Sequence, residues 1–538
     1  MHNKYIVTFA APTTNGDLHI GHLSGPYLAA DVFTRARRLL GDDVLFISFS
    51  DDYNNYVVRK AKQLNASNEQ LVTYYAAQIE KTLEKADIQA NHFMKALNNQ
   101  HYRKAAHQFF YGVSNANTLF SSFNKIPFCQ NCKIYGYEAL ARGTCNYCGS
   151  SSDPSQCETC ARPPIIDQIE DFKCIQCGKK MSKIPVEQLF LNIEHYRDYL
   201  LKLYREKPLR PALRQFIDTV LSQHNMTWAI TRPHEWGIEV PGDVTSILHS
   251  WFNGMAGYYG ASVEWSHQQG DPNLYRSYWH TISTSIIHFV GFDCSFSHAI
   301  AYPCLLREQK DCPTDIWIHT NAFFNLDGQN FSTSRKIVIW ASEFLDYVSP
   351  NLLRFYLALV APEQESADFR VKEFRDTVNK KLVNSFNELM CIVENSMQVT
   401  VDEMPTIEYY ARPLSLLRED WIAAASKSTF SMRRMGNVLV KLIDLMQEVA
   451  LQHPHLLPTL FGIYSLMSLP IQPEFSRKLA DYLSLSKEWG LNWLRNGENL
   501  PQLPKVQESK QAPYFSEISE EVVERFASKG TKHTVPVN

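Results

Sequence analysis

Residues 10–22 read AAPTTNGDLHIGH and follow a short apolar run, Tyr5–Phe9, with the texture of a strand. Beyond them Ile20, Leu23, Tyr27, Leu28, Val32 and Phe33 recur at helical spacing up to Gly41. His19 and His22 then fall three residues apart in the first helical turn, on one face, where unpaired backbone N–H groups and the helix dipole favour anions. Gly21 places no side chain between them, so a flat base or a ribose can approach the backbone. Two donors flanking a bare glycine at a helix start make a nucleotide-phosphate site. Spacing alone fits a pair of surface histidines equally well.

A second apolar strand, Val44–Ser50, ends in Asp51-Asp52. Ligands of open parallel α/β sheets lie at the carboxyl ends of the strands, so these carboxylates face the same crevice as the histidines. A pair of turn acids closing a strand gives the same local pattern. Residues 56–115 are helical in pattern and show no chemistry. Between 116 and 228 the texture changes, and four C-x-x-C pairs occur: Cys129/Cys132, Cys145/Cys148, Cys157/Cys160 and Cys174/Cys177. Each pair sets two thiolates on a tight turn, and two such turns complete a tetrahedral site. Eight ligands make two zinc ions, with sequential and nested pairing both open. Four-thiolate sites leave no vacant position, which makes the role structural. Cys294, Cys304, Cys312 and Cys391 read as buried apolar residues.

The segment around His19 and His22, with Pro12 upstream and the Asn15-Gly16 turn, resembles the HIGH signature of class I aminoacyl-tRNA synthetases. Its continuation, ADVFTRARRLLGDDVLFISFSDD, is similar to the methionyl-tRNA synthetase branch of that class. The resemblance runs from about residue 4 to about residue 380. It implies ATP and Mg²⁺, with His19, Gly21 and His22 at the phosphates and Asp51 holding the substrate's α-amino group. It also implies nested zinc sites, the inner ion on Cys145, Cys148, Cys157 and Cys160 and the outer on Cys129, Cys132, Cys174 and Cys177. Arg232, in WAITRPHEWGIEVP, stands where the family has an arginine approaching the ATP phosphates, a task suited to a bidentate guanidinium. SWFNGMAGYYG (250–260) and HFVGFDCSFSHAIAYP (288–303) match the segments lining the amino-acid pocket. With Ala11 they supply Trp251, Gly254, Tyr258, Cys294, His298 and Tyr302 to the amino acid and Asp293 to ATP. Four positions depart from the family: Thr13 replaces a tyrosine, Gly254-Met255 an Ala-Pro, Cys294 an isoleucine and Tyr302 a tryptophan. Aromatic stripes in an α/β core also arise from packing alone.

The largest departure follows the Asp327-Gly328 turn. Asn330-Phe331-Ser332-Thr333-Ser334-Arg335 occupies the place of the family's KMSKS loop, with Asn330 and Thr333 in place of both lysines. That loop brings charge to the developing pyrophosphate, an effect of about 2.7–4 kcal/mol per donor. Ser332, Thr333 and Ser334 are the expected ATP contacts here, and Arg335, beside Lys336, is the residue left to supply charge. Lys180-Met181-Ser182-Lys183 copies four letters of the same signature but sits against a zinc knuckle, so it is read as coincidence. From 384 to 505 the pattern is that of a helical bundle. Counting Lys+Arg against Asp+Glu over 384–505 gives 11 and 13, a net of −2. Phosphate contacts dominate nucleic-acid affinity, so this balance gives no electrostatic support for tRNA. Asn387 stands without the arginine that accompanies it in anticodon-reading relatives, and His455, not tryptophan, follows Pro454.

The expected architecture is α/β: a Rossmann-type parallel nucleotide-binding fold with a zinc-knuckle insertion, followed by an all-α bundle. Its divisions are 1–115 (first half), 116–228 (insertion), 229–325 (second half), 326–383 (linker module with the altered loop), 384–505 (bundle) and 506–538 (tail). Formal charge is −3, and no apolar run is long enough to span a bilayer. The N-terminus lacks a signal-peptide layout, and C-x-x-C pairs suit a reducing compartment, so a cytoplasmic protein is expected, its oligomeric state open with a monomer favoured. The expected function is an ATP-dependent ligase that activates methionine or a related amino acid and transfers it to tRNA. The alternatives are transfer to a small molecule or peptide, and a non-catalytic binder that kept the fold.

Overall fold

This computed structural model describes residues 3–233, 235–331, 337–396, 407–498, 500–501 and 511–527. Its centre is a five-stranded parallel sheet in the order Asp315–Asn321, Thr284–Gly291, Lys4–Phe9, Asp43–Phe49, His92–Met94. The inner strands are rich in apolar residues because both faces are covered. Side chains alternate: Tyr5, Val7 and Phe9 pack with the helix Leu28–Leu39 and the C-terminal helices, while Ile6 packs on the opposite face. There Gln100–Asn115 and Ser250–Gln268 form the cover. The chain moves outward from Lys4–Phe9 through Asp43–Phe49 and His92–Met94, and only later returns to the other side with Thr284–Gly291. A crevice therefore opens at the carboxyl end of Lys4–Phe9, at the switch of direction.

The helix read from Ile20 to Gly41 is broken. Helical turns at Ile20–His22 give way to a wide turn, Leu23–Tyr27, before Leu28–Leu39 resumes. Pro26 has no N–H to donate backward, and Gly25 lies off the helical basin at φ −105°, ψ −115°.

The insertion stands on a two-stranded antiparallel stem, Leu119–Cys129 with Ser182–Asn192. At its end all four C-x-x-C turns close the same way. The N–H groups of Lys133, Gly149, Ala161 and Gly178 donate to the carbonyls of Cys129, Cys145, Cys157 and Cys174 at 2.8–2.9 Å. Each of these four donors has positive φ, the conformation a tight knuckle requires.

The C-terminal helices pack directly on the sheet, Phe430 meeting Phe33 and Phe289 edge-on at 5.4 and 5.2 Å. A buried ion pair ties the layers: Arg354 Nη2 lies 2.6 Å from Asp31 and also donates to Pro470 O at 2.8 Å. Residues 511–527 form a strap across the bundle. Asn387 clamps the Phe515 backbone through both amide atoms (2.9 and 3.0 Å), and Asn379 does the same to Ile518. Phe515 stacks on Phe475 at 3.7 Å. Among the described residues no helix is long and apolar enough to cross a membrane.

Candidate active site

The crevice is a cleft of about 600 Å³, lined by both histidines, Gly21, Asp51, Trp251, Tyr258, Asp293 and His298 among others. His19 caps the Ile20–His22 turn and its backbone N–H donates to His22 Nδ1 at 3.1 Å. The two imidazoles stack at 3.7 Å, and the ring of Phe331 stacks on His19 at 4.5 Å and 7°. Burial lowers the pKa of His22 to about 4 and, together with the neighbouring His22, holds His19 well below its ordinary value. Both rings are therefore neutral N–H donors at pH 7. Nδ1 of His19 has no partner among the described residues. Gly21 lies bare beneath, since a Cβ there would stand 2.8 Å from Phe331.

Across the cleft, Asp51 is placed by backbone pairing with the first loop: its N–H donates to Pro12 O at 2.9 Å. Its Oδ2 accepts from Asn54 Nδ2 (2.9 Å) and Thr13 Oγ1 (3.2 Å). Asn54 is fixed in turn because its Oδ1 caps the helix Asn55–Leu64. Burial, then the charges of Glu138 and Asp52, raise the Asp51 pKa to about 7. A carboxylate so short of positive partners has the chemistry to accept a cation. Asp52 points away and is consumed by Ser50, Thr14 and the Leu97 N–H.

The third wall comes from the N-terminal half of Ser250–Gln268 and the wide turn Phe296–Ala301. Tyr258 Oη and His298 Nε2 are 2.9 Å apart, and His298 Nδ1 lies 3.2 Å from Cys294 O. With Nδ1 protonated toward that carbonyl, Nε2 accepts from the tyrosine and fixes its ring. Ala11, Thr13, Gly254 and Cys294 also line this end, and a Cβ on Gly254 would meet open space. Burial raises the pKa of Asp293 to about 6, with the nearby Glu158 adding to the effect.

Two expected site residues are elsewhere. Arg232 does not reach the cleft; its guanidinium, 0% exposed, pairs with buried Glu138 at 3.2 Å and donates to Tyr53 O and Trp236 O. It is a structural ion pair behind the wall. Tyr302 lies one layer too deep, its ring packed on His288 at 4.8 Å and on Tyr258 at 6.2 Å. Cys391, read as buried, is exposed, and Cys294 is half-buried in the cleft, whereas Cys304 and Cys312 are buried as expected. Ser332, Thr333, Ser334, Arg335 and Lys336 lie outside the described residues. Met181, by contrast, is buried in the knuckle core and Lys183 pairs with Glu170, far from any loop role.

The cleft also contains residues the sequence did not flag. Tyr56, Asp153, Gln156 and Glu158 line it, the last three carried in by the inner knuckle, and Asn330 and Phe331 border its nucleotide end. Asn330 and Phe331 alone had an advance signal, their place in the altered loop. Among the described lining residues there is neither lysine nor arginine.

Each cysteine set is assembled. The sulfurs of Cys129, Cys132, Cys174 and Cys177 lie within 4.8 Å of one another, as do those of Cys145, Cys148, Cys157 and Cys160. This is the nested arrangement, and four thiolates so gathered fit tetrahedral zinc.

A parallel sheet whose first strand opens onto paired histidines, with an aspartate facing them, defines a class I aminoacyl-tRNA synthetase core. A family model described as tRNA synthetases class I (M) matches residues 5–392, and the chain belongs to that family. Its relatives place it in the methionyl branch. It is 31% identical over 397 residues to the methionine–tRNA ligase of Pyrococcus furiosus, covering 71% of this chain and 55% of that one. It is 29% identical over 429 residues to that of Thermoplasma acidophilum, covering 78% of each. The chain thus spans about half the length of the first relatives it matches. In three dimensions it is similar to Mycobacterium tuberculosis methionyl-tRNA synthetase in complex with methionyl-adenylate. The TM-score is 0.72 at 16% identity, over 93% of this chain and 98% of that one, a likeness of fold.

Proposed function

We propose that this chain activates methionine or a related amino acid with ATP, forming an aminoacyl-adenylate that it then transfers to tRNA. The observation carrying this reading is the single cleft that joins His19, Gly21 and His22 to Asp51, Trp251 and Tyr258. The amino-acid carboxylate attacks the α-phosphorus, the bond to the β-phosphate oxygen breaks, and pyrophosphate leaves. Asp51 holds the ammonium so that the carboxylate is aimed, and the neutral imidazoles donate to oxygens gaining charge. Magnesium bound with ATP supplies positive charge that the described lining lacks. The two cysteine sets hold structural zinc and keep the insertion in register beside the cleft.

A second reading, transfer to a non-tRNA acceptor, is favoured by the far end of the molecule. The Asn387 amide is fully engaged by the Phe515 backbone, and the helical region carries no net positive charge to attract a phosphate backbone. ATP–pyrophosphate exchange screened over amino acids, with His22→Ala as control, tests activation. Exchange that depends on one amino acid and is lost in the variant supports it; silence across the panel removes it. Charging of bulk tRNA with the selected amino acid then separates the two acceptors.

A further inference from the structure

One edge of the cleft carries a donor that no described group of the chain accepts from. The strand Asp315–Asn321 ends with Asn321 paired to Gly291, at the carboxyl end of the sheet. Asn321 is 4% exposed and lines the cleft. Its Oδ1 lies 3.5 Å from Arg210 Nη1, a nitrogen that also donates to Thr320 O. Arginine has donors only, so the guanidinium fixes the sense of the amide, with the oxygen toward Arg210. The amide nitrogen then faces Gly25, where an added Cβ would stand 3.5 Å from Nδ2, and Gly25 lines the cleft as well. Nδ2 is buried and has no hydrogen-bond partner among the described residues.

A buried donor left without an acceptor costs about 1–3 kcal/mol. Beside a guanidinium a carboxylate would be the stronger partner, and it would leave no donor over. The amide keeps two N–H groups at the cleft, and donors of this kind select an acceptor atom in the occupant. Their place is the histidine side. Gly25 follows His22 in the helical break, and Phe324 lies parallel to Phe331, whose ring stacks on His19. Among the described lining residues there is no lysine or arginine, so neutral donors are what this side offers.

We propose that Asn321 is a nucleotide-binding residue, its amide N–H groups donating to an acceptor atom of the ATP that meets His19, Gly21 and His22. Arg210 acts through it, holding the amide in the donating sense before the nucleotide arrives, so little ordering is left to do on binding. The proposal rests on the activation reading above for the identity of the occupant.

Two measurements on the full chain decide it: calorimetry with a non-hydrolysable ATP analogue, and pyrophosphate exchange with separate KM values for ATP and for the amino acid. Asn321→Asp keeps an oxygen for Arg210 and removes both donors. The melting temperature is expected to hold, while affinity for the analogue falls about tenfold or more and the KM for ATP rises in step. Asn321→Ala removes the donors without adding charge and is expected to weaken the analogue about three- to tenfold. The amino-acid KM stays unchanged in both. Adenosine and AMP locate the acceptor: a loss already present with adenosine puts it on the base or ribose, and a loss that begins with AMP puts it on the α-phosphate. Equal affinity of parent and variants for the analogue, or a rise confined to the amino-acid KM, overturns the proposal and leaves the activation reading standing. Equal losses for both substrates with a lowered melting temperature mark a structural residue and overturn it too. A parent chain that binds no nucleotide removes both.

Discussion

Asp51 is where charge, geometry and function meet most tightly. Removing its charge while keeping its shape, Asp51→Asn, is expected to raise the amino-acid KM in exchange about 10- to 100-fold, the range for a lost charged hydrogen bond. Its pKa of about 7 gives a second expectation. Only the anion pairs with an ammonium, so the amino-acid KM falls as pH rises through about 7, read from exchange kinetics across that range. The sign for stability is opposite. The folded chain keeps a proton that the unfolded chain has already lost at its lower pKa. Asp51 therefore destabilises the fold progressively as pH rises from about 4 to about 7. Asp51 was legible because it sits where a strand ends, and His19 and His22 because they sit where a helix begins, positions the hydrophobic pattern marks. Arg232 was not: an arginine's task depends on its partner, and Glu138 reaches it only through the folding of the insertion. Tyr56 and Asp153, 97 residues apart, meet by the same long-range closure and leave no local trace.

At the scale of elements, the insertion gathers two four-cysteine sets that fit zinc and packs against the wall of the cleft. Elemental analysis is expected to find two zinc ions per chain, and Cys157→Ser to remove one. Because Cys157 closes the loop that holds Asp153, the same variant is expected to weaken substrate binding as well as zinc content. The buried Arg232–Glu138 pair ties the insertion to the strand Thr231–Pro233 behind the cleft wall. Arg232→Leu strands a carboxylate in the interior and is expected to lower stability by about 3–5 kcal/mol, measured by denaturant unfolding. The C-x-x-C spacing named the ligands outright, while nesting followed from the resemblance and not from spacing. The break at Leu23–Tyr27 was readable in principle from Pro26. An uninterrupted apolar period on either side masked it.

For the whole molecule, sheet and bundle behave as one cooperative body, since a single apolar cluster runs from Tyr5 through Phe33 and Phe430 to the last helices. Arg354 pins that junction, and Arg354→Met is expected to drop the melting temperature and to split a single thermal transition into two, read by calorimetry. The order of strands was not legible in the sequence, because parallel pairing is non-local and its register is written in no short segment. The strap at 511–527 carries a separate consequence for anyone handling the chain. Cutting the polypeptide ahead of Gln511 would bare the ring of Phe475 and leave two asparagine amides without their backbone ligands, turning a sealed flank into an adhesive one. A shortened protein would then be expected to self-associate while its distant catalytic half stayed folded.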